Sequence, residues 1–161
     1  MAALKPKREE HMRTSKWIAV IVLVPAVFLA GAFIRSKAIG PIGWAKDDVE
    51  KSLRAQMKDP SSMMIRSSYV VVRTSGAQTE ISVCGRVDGR NSFGGYVGGM
   101  RFASRSVSDK EAGTFETYSV KLEDLKQTSE ARSVRMLSGF EHIYWNHWCV
   151  DADHPALAVE D

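Results

Sequence analysis

One uninterrupted apolar segment, Trp17–Ile34, constrains the fold of this chain more than any other feature. Its 18 residues would rise about 27 Å as an α-helix, close to the hydrocarbon thickness of a bilayer. Trp17 lies where an aromatic interface anchor is expected, and Pro25 is tolerable because neighbouring backbone in a membrane can adjust to it. The segment lacks the amphipathic stripe of a helix that packs on a globular core. It therefore predicts a transmembrane helix.

The charges beside this segment predict its orientation. The first 16 residues carry five of the chain's 22 basic residues and two of its 19 acidic residues, which leaves this tail at +3. Residues 35–161 hold 17 residues of each sign and are neutral. Under the positive-inside rule the tail 1–16 stays in the cytoplasm, beside membrane lipid, and the rest crosses the membrane. The neutral exported part lacks the basic footprint of a nucleic-acid-binding protein.

Two interpretations of the apolar segment stay open. A retained signal anchor fits its length and its long charged leader. Ala30-Gly31-Ala32 also has the small-x-small form that signal peptidase accepts, so cleavage after Ala32 is the alternative. In a retained helix, Gly31 with Ala30 and Ala32 would offer a small-residue patch for packing on other helices.

The remaining residues, about 127 of them, suffice for one modest domain but not for two. Residues 35–46 contain two glycines and a proline and are predicted to be a linker, and the acidic residues 151–161 a flexible tail. The domain is therefore predicted over 47–150. In an exported chain the pair Cys84 and Cys149 is typical of one disulfide, with two free buried thiols as the alternative.

Residue patterns within the domain predict an α+β fold. Asp47 is a suitable N-cap for a helix over 47–58, which must end before Pro60. Its apolar face repeats every four residues, which predicts packing on a sheet: Val49, Leu53 and Met57. A second helix is predicted over 129–148, from the spacing of its apolar side chains.

Four segments between these helices are predicted as strands from their β-branched content or their period of two: 68–73, 79–87, 96–103 and 114–121. The segment 79–87 alternates well enough to predict a half-buried strand, and 104–113 is polar and predicted as a loop. Short turn-rich connections indicate an antiparallel meander. The predicted fold is thus an N-terminal transmembrane helix followed by a small domain, with a three- to four-stranded antiparallel sheet flanked by two helices.

A glycine-rich segment, 94–99, invites comparison with phosphate-binding loops. It has no Gly-Lys-Ser/Thr and precedes a strand rather than a helix, so a tight turn is the better interpretation. The turn and its flanking aromatic residues form a candidate contact surface: Phe93, Gly94, Gly95 and Tyr96.

Residues that could support catalysis or metal binding form no recognisable motif. A zinc site is conceivable from His142, His147, Cys149 and His154, but the two helical histidines are five residues apart and would lie off one face. Using Cys149 for metal would also leave Cys84 without its partner. No serine-nucleophile elbow and no His-Glu-x-x-His occur, and Cys84 as a nucleophile has no local signature. We predict no catalytic residue, no metal and no cofactor.

Several short runs resemble a recurrent small domain of exported or membrane-anchored proteins in Gram-negative bacteria, including prophage-borne ones, mostly of uncharacterised function. The resemblance rests on Lys58-Asp59-Pro60-Ser61-Ser62, Val83-Cys84-Gly85-Arg86-Val87-Asp88, Asn91-Ser92-Phe93-Gly94-Gly95-Tyr96-Val97-Gly98 and Phe102. It covers residues 47–103 and the aromatic-cysteine ending near 145–149. Members tend to carry asparagine at the position of Asp88, and the family has no catalytic residues to transfer. The resemblance implies an envelope location, with the domain in the periplasm.

The leading hypothesis for function is a non-enzymatic interaction module of the bacterial envelope, tethered to the inner membrane, with a protein partner. The first alternative is an accessory single-span subunit of a larger inner-membrane complex. The second alternative is an envelope hydrolase, which would need a cleft and a role for Cys84, Asp88 or His147.

Overall fold

The computed structural model of the protein describes residues 40–96 and 98–159. Their elements are, in chain order, helix α1 over 40–56, a 3-10 turn (Pro60–Ser62), strands β1 (Met64–Ser75), β2 (Gln78–Asp88), β3 (Met100–Asp109) and β4 (Thr114–Leu122), helix α2 (Leu125–Ser133), a π-helix (Phe140–Trp145) and a short helix α3 (Asn146–Trp148). We call the last two, together, the C-terminal helical segment. No helix among the described residues is long and apolar enough to cross a membrane. The predicted span Trp17–Ile34 and the tail 1–16 lie outside the described residues.

The four strands form one antiparallel sheet in the order β1-β2-β3-β4, which confirms the predicted α+β class and the meander. The β1–β2 hairpin turns at Gly76, whose φ of 59° suits glycine. The register aligns Tyr69 with Cys84 and Cys84 with Ala103 across the first three strands.

Helix α1 covers one face of the sheet. The three side chains predicted from the four-residue spacing are buried between them: Val49 and Leu53 within the helix, and Met57 just after its last residue. They pack on apolar side chains of the inner strands: Ile81, Val83, Val87 and Phe102. The helix starts earlier than predicted, because residues 40–46 are already helical and Ala45 is fully buried in the same core. The predictions of a linker through residue 46 and of a helix start at Asp47 are therefore wrong for the described residues.

The C-terminal helical segment covers the opposite face. Cys84, Ala103, Phe140 and Cys149 are buried there, with Tyr69, Tyr144, Trp145 and Trp148 packed around them. Strand β2 is consequently buried on both faces, whereas its alternating pattern predicted a half-buried strand.

The predicted single helix over 129–148 is also wrong. Helix α2 ends at Ser133, and the chain regains helical structure only near Gly139.

Strand β3 continues through residues predicted to form a loop, from Ser104 to Asp109. Two of the polar side chains that suggested a loop, Ser104 and Ser106, are buried and hydrogen-bonded. Ser104 Oγ accepts from the Val83 amide at 2.9 Å and donates to the Val83 carbonyl at 3.1 Å. Ser106 Oγ lies 3.0 Å from Thr117 Oγ1, which in turn donates to Asp48 Oδ2 of α1. Serine hydroxyls thus join neighbouring strands and the helix, which a polarity pattern does not reveal.

Residues 151–157 are held against the domain, which differs from the flexible tail expected over 151–161, of which residues 160 and 161 lie outside the described residues. Asn146 bonds Leu157 through both ends of its amide, accepting from the Leu157 N–H at 2.8 Å and donating to its carbonyl at 2.9 Å. The ring of His154 stacks on Tyr69 with centroids 3.6 Å apart. Burial, and then the charge of Asp151, raises the pKa of Tyr69 to about 12, so its hydroxyl keeps the proton that it donates to the Cys149 carbonyl.

Candidate contact surface at the β2–β3 loop

The loop between β2 and β3 is a tight turn held by one side chain. Asn91 Oδ1 accepts from the backbone N–H groups of Phe93 at 2.9 Å and Gly95 at 3.1 Å. The backbone of Asn91 also bonds Gly94 and Gly95. Gly94 has a φ of 79°, which a residue with a side chain would adopt only with strain. The turn is therefore well defined by its own hydrogen bonds.

Phe93 stands at the tip of this turn and is 96% exposed. The loop beneath it is anchored by the Arg90 amide, which donates to Ser62 Oγ at 2.8 Å in the 3-10 turn. A fully exposed phenylalanine contributes nothing to the core, so its position on a fixed turn is the main indication of a contact surface.

Tyr96 lies between two arginines. The guanidinium carbons of Arg66 and Arg90 are 5.8 and 5.6 Å from the centroid of its ring, within the range of cation–π attraction. Arg66 is the extra residue of a bulge in β1, where the register with β2 shifts between Ile65 and Ser67. The bulge turns Arg66 toward the loop, where it also pairs with Asp88.

Asp88 holds the guanidinium of Arg66 in position. Its carboxylate accepts from Arg66 Nη2 at 3.0 Å and from the Gly89 amide at 2.9 Å. Burial by itself would raise the pKa of Asp88, but these hydrogen bonds outweigh it and hold the pKa below its usual value. Asp88 therefore stays ionised and positions Arg66.

We call the exposed group at this end of the sheet the loop surface. Its members share an apolar or cationic character: Met64, Ile65, Arg66, Arg90, Phe93 and Tyr96. The sequence identified Phe93 and Tyr96 but missed the other four. A β-bulge leaves no pattern in the sequence that would have placed Arg66 over Tyr96.

Comparison with family models, with curated protein sequences and with solved structures finds no match to this chain. The resemblance to an exported bacterial domain therefore remains a prediction.

The disulfide between Cys84 and Cys149 is present, as predicted, with the Cα atoms 5.7 Å apart. The alternative of two free thiols is wrong. A disulfide sulfur has no thiolate, so it is neither the nucleophile nor the zinc ligand considered from the sequence. The residues named for a hydrolase are not brought together: Cys84 is in this bond and Asp88 pairs with Arg66 at the loop.

The histidines named for a metal site also have other roles. His154 stacks on Tyr69, and its Nδ1 lies 2.7 Å from Asp151 Oδ1. His142 and His147 are exposed on the C-terminal helical segment. Across residues 40–96 and 98–159, no group of three or more histidine, cysteine or acidic side chains is placed to hold a metal ion.

The sequence did not predict a buried ion cluster that lies between β3 and the C-terminal helical segment. Arg101 donates through Nε and Nη2 to both carboxylate oxygens of Glu123, and its Nη2 also donates to Glu141 Oε1 at 2.6 Å. Glu141, fully buried, accepts in addition from Arg132 and from the Ser138 amide. The guanidinium of Arg101 lies against the rings of Phe140 and Trp145.

Charges in this cluster balance, which explains how it can be buried. Burial would raise the pKa of Glu141, but hydrogen bonds from Arg101, the Ser138 amide and Arg132 outweigh it and lower the pKa to about 2. Both acids are ionised at neutral pH, and every charged group has a partner. We interpret the cluster as a structural tie between the sheet and the C-terminal helical segment.

Proposed function

We propose that this chain is a non-enzymatic interaction module of the bacterial envelope, tethered to the inner membrane by Trp17–Ile34. In this proposal the N-terminus is cytoplasmic, the α+β domain is periplasmic, and the loop surface contacts a protein partner. The observation that carries the proposal is Phe93, almost fully exposed on a turn that Asn91 holds in place. A rigid aromatic anchor loses little conformational entropy on binding, which is why such side chains dominate protein interfaces.

Arginines around the aromatic residues support the same proposal. Aromatic residues and arginine are the side chains most enriched at protein contacts, and here Tyr96 and two arginines already form a cation–π stack before any partner binds. A preformed surface of this kind needs little rearrangement on binding. The disulfide, typical of exported proteins, supports the periplasmic location.

A photo-crosslinking experiment in native membranes tests the proposal. The full-length chain is expressed with p-benzoylphenylalanine in place of Phe93, irradiated, and examined on a non-reducing gel. The matched control carries the same group in place of Tyr118, an aromatic residue 59% exposed on β4. We expect a defined adduct from position 93 and none from position 118. No adduct, or equal adducts at both positions, would contradict the proposal.

A second function, that of an accessory subunit, is favoured by the small-residue patch around Gly31. In that case the span itself packs on other helices of a complex. Exchanging Trp17–Ile34 for an unrelated apolar helix should then abolish co-purification of the complex, whereas a simple tether should tolerate the exchange. A product shorter by about 32 residues on the same gel would mean cleavage after Ala32 and would contradict both versions.

A further inference from the structure

A pocket of about 280 Å³ lies between the end of α2 and the last described residues of the chain. Its wall is polar and apolar in nearly equal shares, and two arginines and several apolar side chains contribute to it: Arg132, Arg135, Met136, Leu137, Leu157 and Val159. The pocket shares no residue with the loop surface. Its size is just below the range of sites that enclose a whole drug-sized ligand, so it suits the end of a larger molecule.

Arg135 is held in an unfavourable backbone conformation at this pocket. It follows α2 with a φ of 56°, and it is the one residue other than glycine with positive φ among the described residues. The amides of Val134, Arg135 and Met136 all bond carbonyls of the last turn of α2. Glycine is the residue that usually ends a helix in this way, because a side chain makes the conformation strained. Arginine at this position makes the fold less stable than glycine would, which indicates that its side chain has a function.

The guanidinium of Arg135 is exposed and has no hydrogen-bond or ion-pair partner in the part of the chain that the structure describes. Arg132 bonds Glu141 through Nη2 alone and leaves its side chain 65% exposed. Glu141 is already shared with Arg101 and the Ser138 amide. Arg135 therefore brings to the pocket a positive charge that no acid among the described residues balances, beside the apolar side chains of Met136 and Leu157. This arrangement is complementary to an anionic group attached to an apolar one.

The backbone beside the pocket offers peptide groups that are not paired with other described residues. Leu157 is fixed through both of its peptide groups by Asn146, while the peptide groups of Ala158 and Val159 have no hydrogen-bond partner among the described residues. These two residues can pair with the main chain of an incoming peptide. A free α-carboxylate at the end of that peptide matches guanidinium groups in charge and in geometry.

We propose that this pocket binds the C-terminal end of an extended peptide. The terminal carboxylate pairs with Arg132 and Arg135, and an apolar last side chain packs on Met136 and Leu157.

Fluorescence anisotropy of a labelled hexapeptide ending in leucine tests this binding on the full-length chain. The same peptide with an amidated C-terminus is the control for the carboxylate, and a peptide ending in aspartate is the control for the apolar side chain. We expect both controls to bind at least about tenfold more weakly. Decanoate, an acyl anion without a peptide, is tested as a competitor. The proposal would be overturned if the amidated peptide bound as tightly as the free one or if the leucine peptide did not bind. Decanoate binding as tightly as the peptide would also overturn it, in favour of an acyl anion.

Arg135→Gly separates binding from folding, because the two effects have opposite expected signs. Glycine relieves the strained backbone, so the Tm should stay the same or rise, while peptide affinity should fall about tenfold or more. Lys110→Ala removes one positive charge from the exposed β3–β4 turn and should leave affinity within about twofold. Met136→Glu should abolish binding of the leucine peptide by opposing its carboxylate. A lower Tm with unchanged affinity in Arg135→Gly would show that the arginine serves the fold and would overturn the proposal.

Discussion

The two faces of the sheet are packed against different kinds of side-chain contact. Under α1 the buried contacts are mainly apolar, with Leu53 and Phe102 among the largest fully buried side chains. Under the C-terminal helical segment they are a disulfide, a group of aromatic rings and the ion cluster around Arg101. Apolar burial depends little on pH or redox state, whereas a disulfide depends on redox state and an ion cluster depends on pH. The two faces should therefore respond differently to reductant and to acid.

Removal of the disulfide should have the largest effect. The bond closes a loop of 65 residues, and its loss in Cys84→Ala with Cys149→Ala should lower the free energy of unfolding by about 4 kcal/mol through the entropy of the unfolded chain. Urea unfolding of the full-length chain, followed by tryptophan fluorescence, measures this. Reductant should destabilise the wild type by a similar amount and leave the double variant unchanged. A double variant as stable as the oxidised wild type would contradict the expectation.

Leu53→Ala should have the next largest effect, on the α1 face. It removes a fully buried side chain and leaves a cavity, so we expect a loss of about 3 kcal/mol in the free energy of unfolding. This loss should be the same with and without reductant. A loss that depends on reductant would mean that the two faces are coupled, and the comparison between them would fail.

Acid should weaken the packing between the sheet and the C-terminal helical segment, where the ion cluster lies. The pKa of Glu141 is lowered from 4.5 to about 2 in the folded chain, so the folded state holds this group ionised where the unfolded state would protonate it. Its stabilisation is present above pH 4.5 and is lost as the pH falls through about 2, an effect of about 3 kcal/mol.

Glu141→Gln measures that contribution by comparison with wild type. The variant should be less stable at neutral pH, because Arg101 loses a charged partner in a buried site. Between about pH 5 and pH 2 its stability should fall less steeply than that of wild type, while Leu53→Ala should keep the wild-type slope. Equal slopes for Glu141→Gln and wild type would contradict the assignment of the low pKa to this cluster.

The smallest effect on stability is expected at the loop surface. Phe93→Ser changes an exposed side chain with no buried contact, so the free energy of unfolding should change by less than about 0.5 kcal/mol. Co-purification of a crosslinked partner from membranes should nevertheless be lost, and Phe93→Leu should retain it in part. Loss of partner together with a large loss of stability would instead assign Phe93 a structural role.

The differences between the sequence-based predictions and the structure have specific causes. Residues 40–46 contain a proline and glycines and so suggested a linker, but the burial of Ala45 against the sheet extends α1 through them. The serines of β3 suggested a loop, but the hydroxyl of Ser104 bonds β2 and that of Ser106 bonds β4. In both places tertiary contacts override local preference, as they do for short segments in general. For the candidate site, the turn around Asn91 and Gly94 could be predicted from its residues, whereas the positions of the two arginines beside Tyr96 could not.

The amino-acid sequence by itself determined the α+β class, the antiparallel meander and the apolar face of α1, and it favoured the pairing of Cys84 with Cys149 over two free thiols. These follow from local periodicity, turn residues and the number of cysteines, all of which act over short distances or without a choice of partner. Only the tertiary structure decided that both faces of β2 are buried, that a bulge aims Arg66 at Tyr96, and that Arg101 meets Glu123 and Glu141. Those two acids lie 22 and 40 residues from Arg101 in the chain, and the partner of a buried charge is settled by which elements pack together.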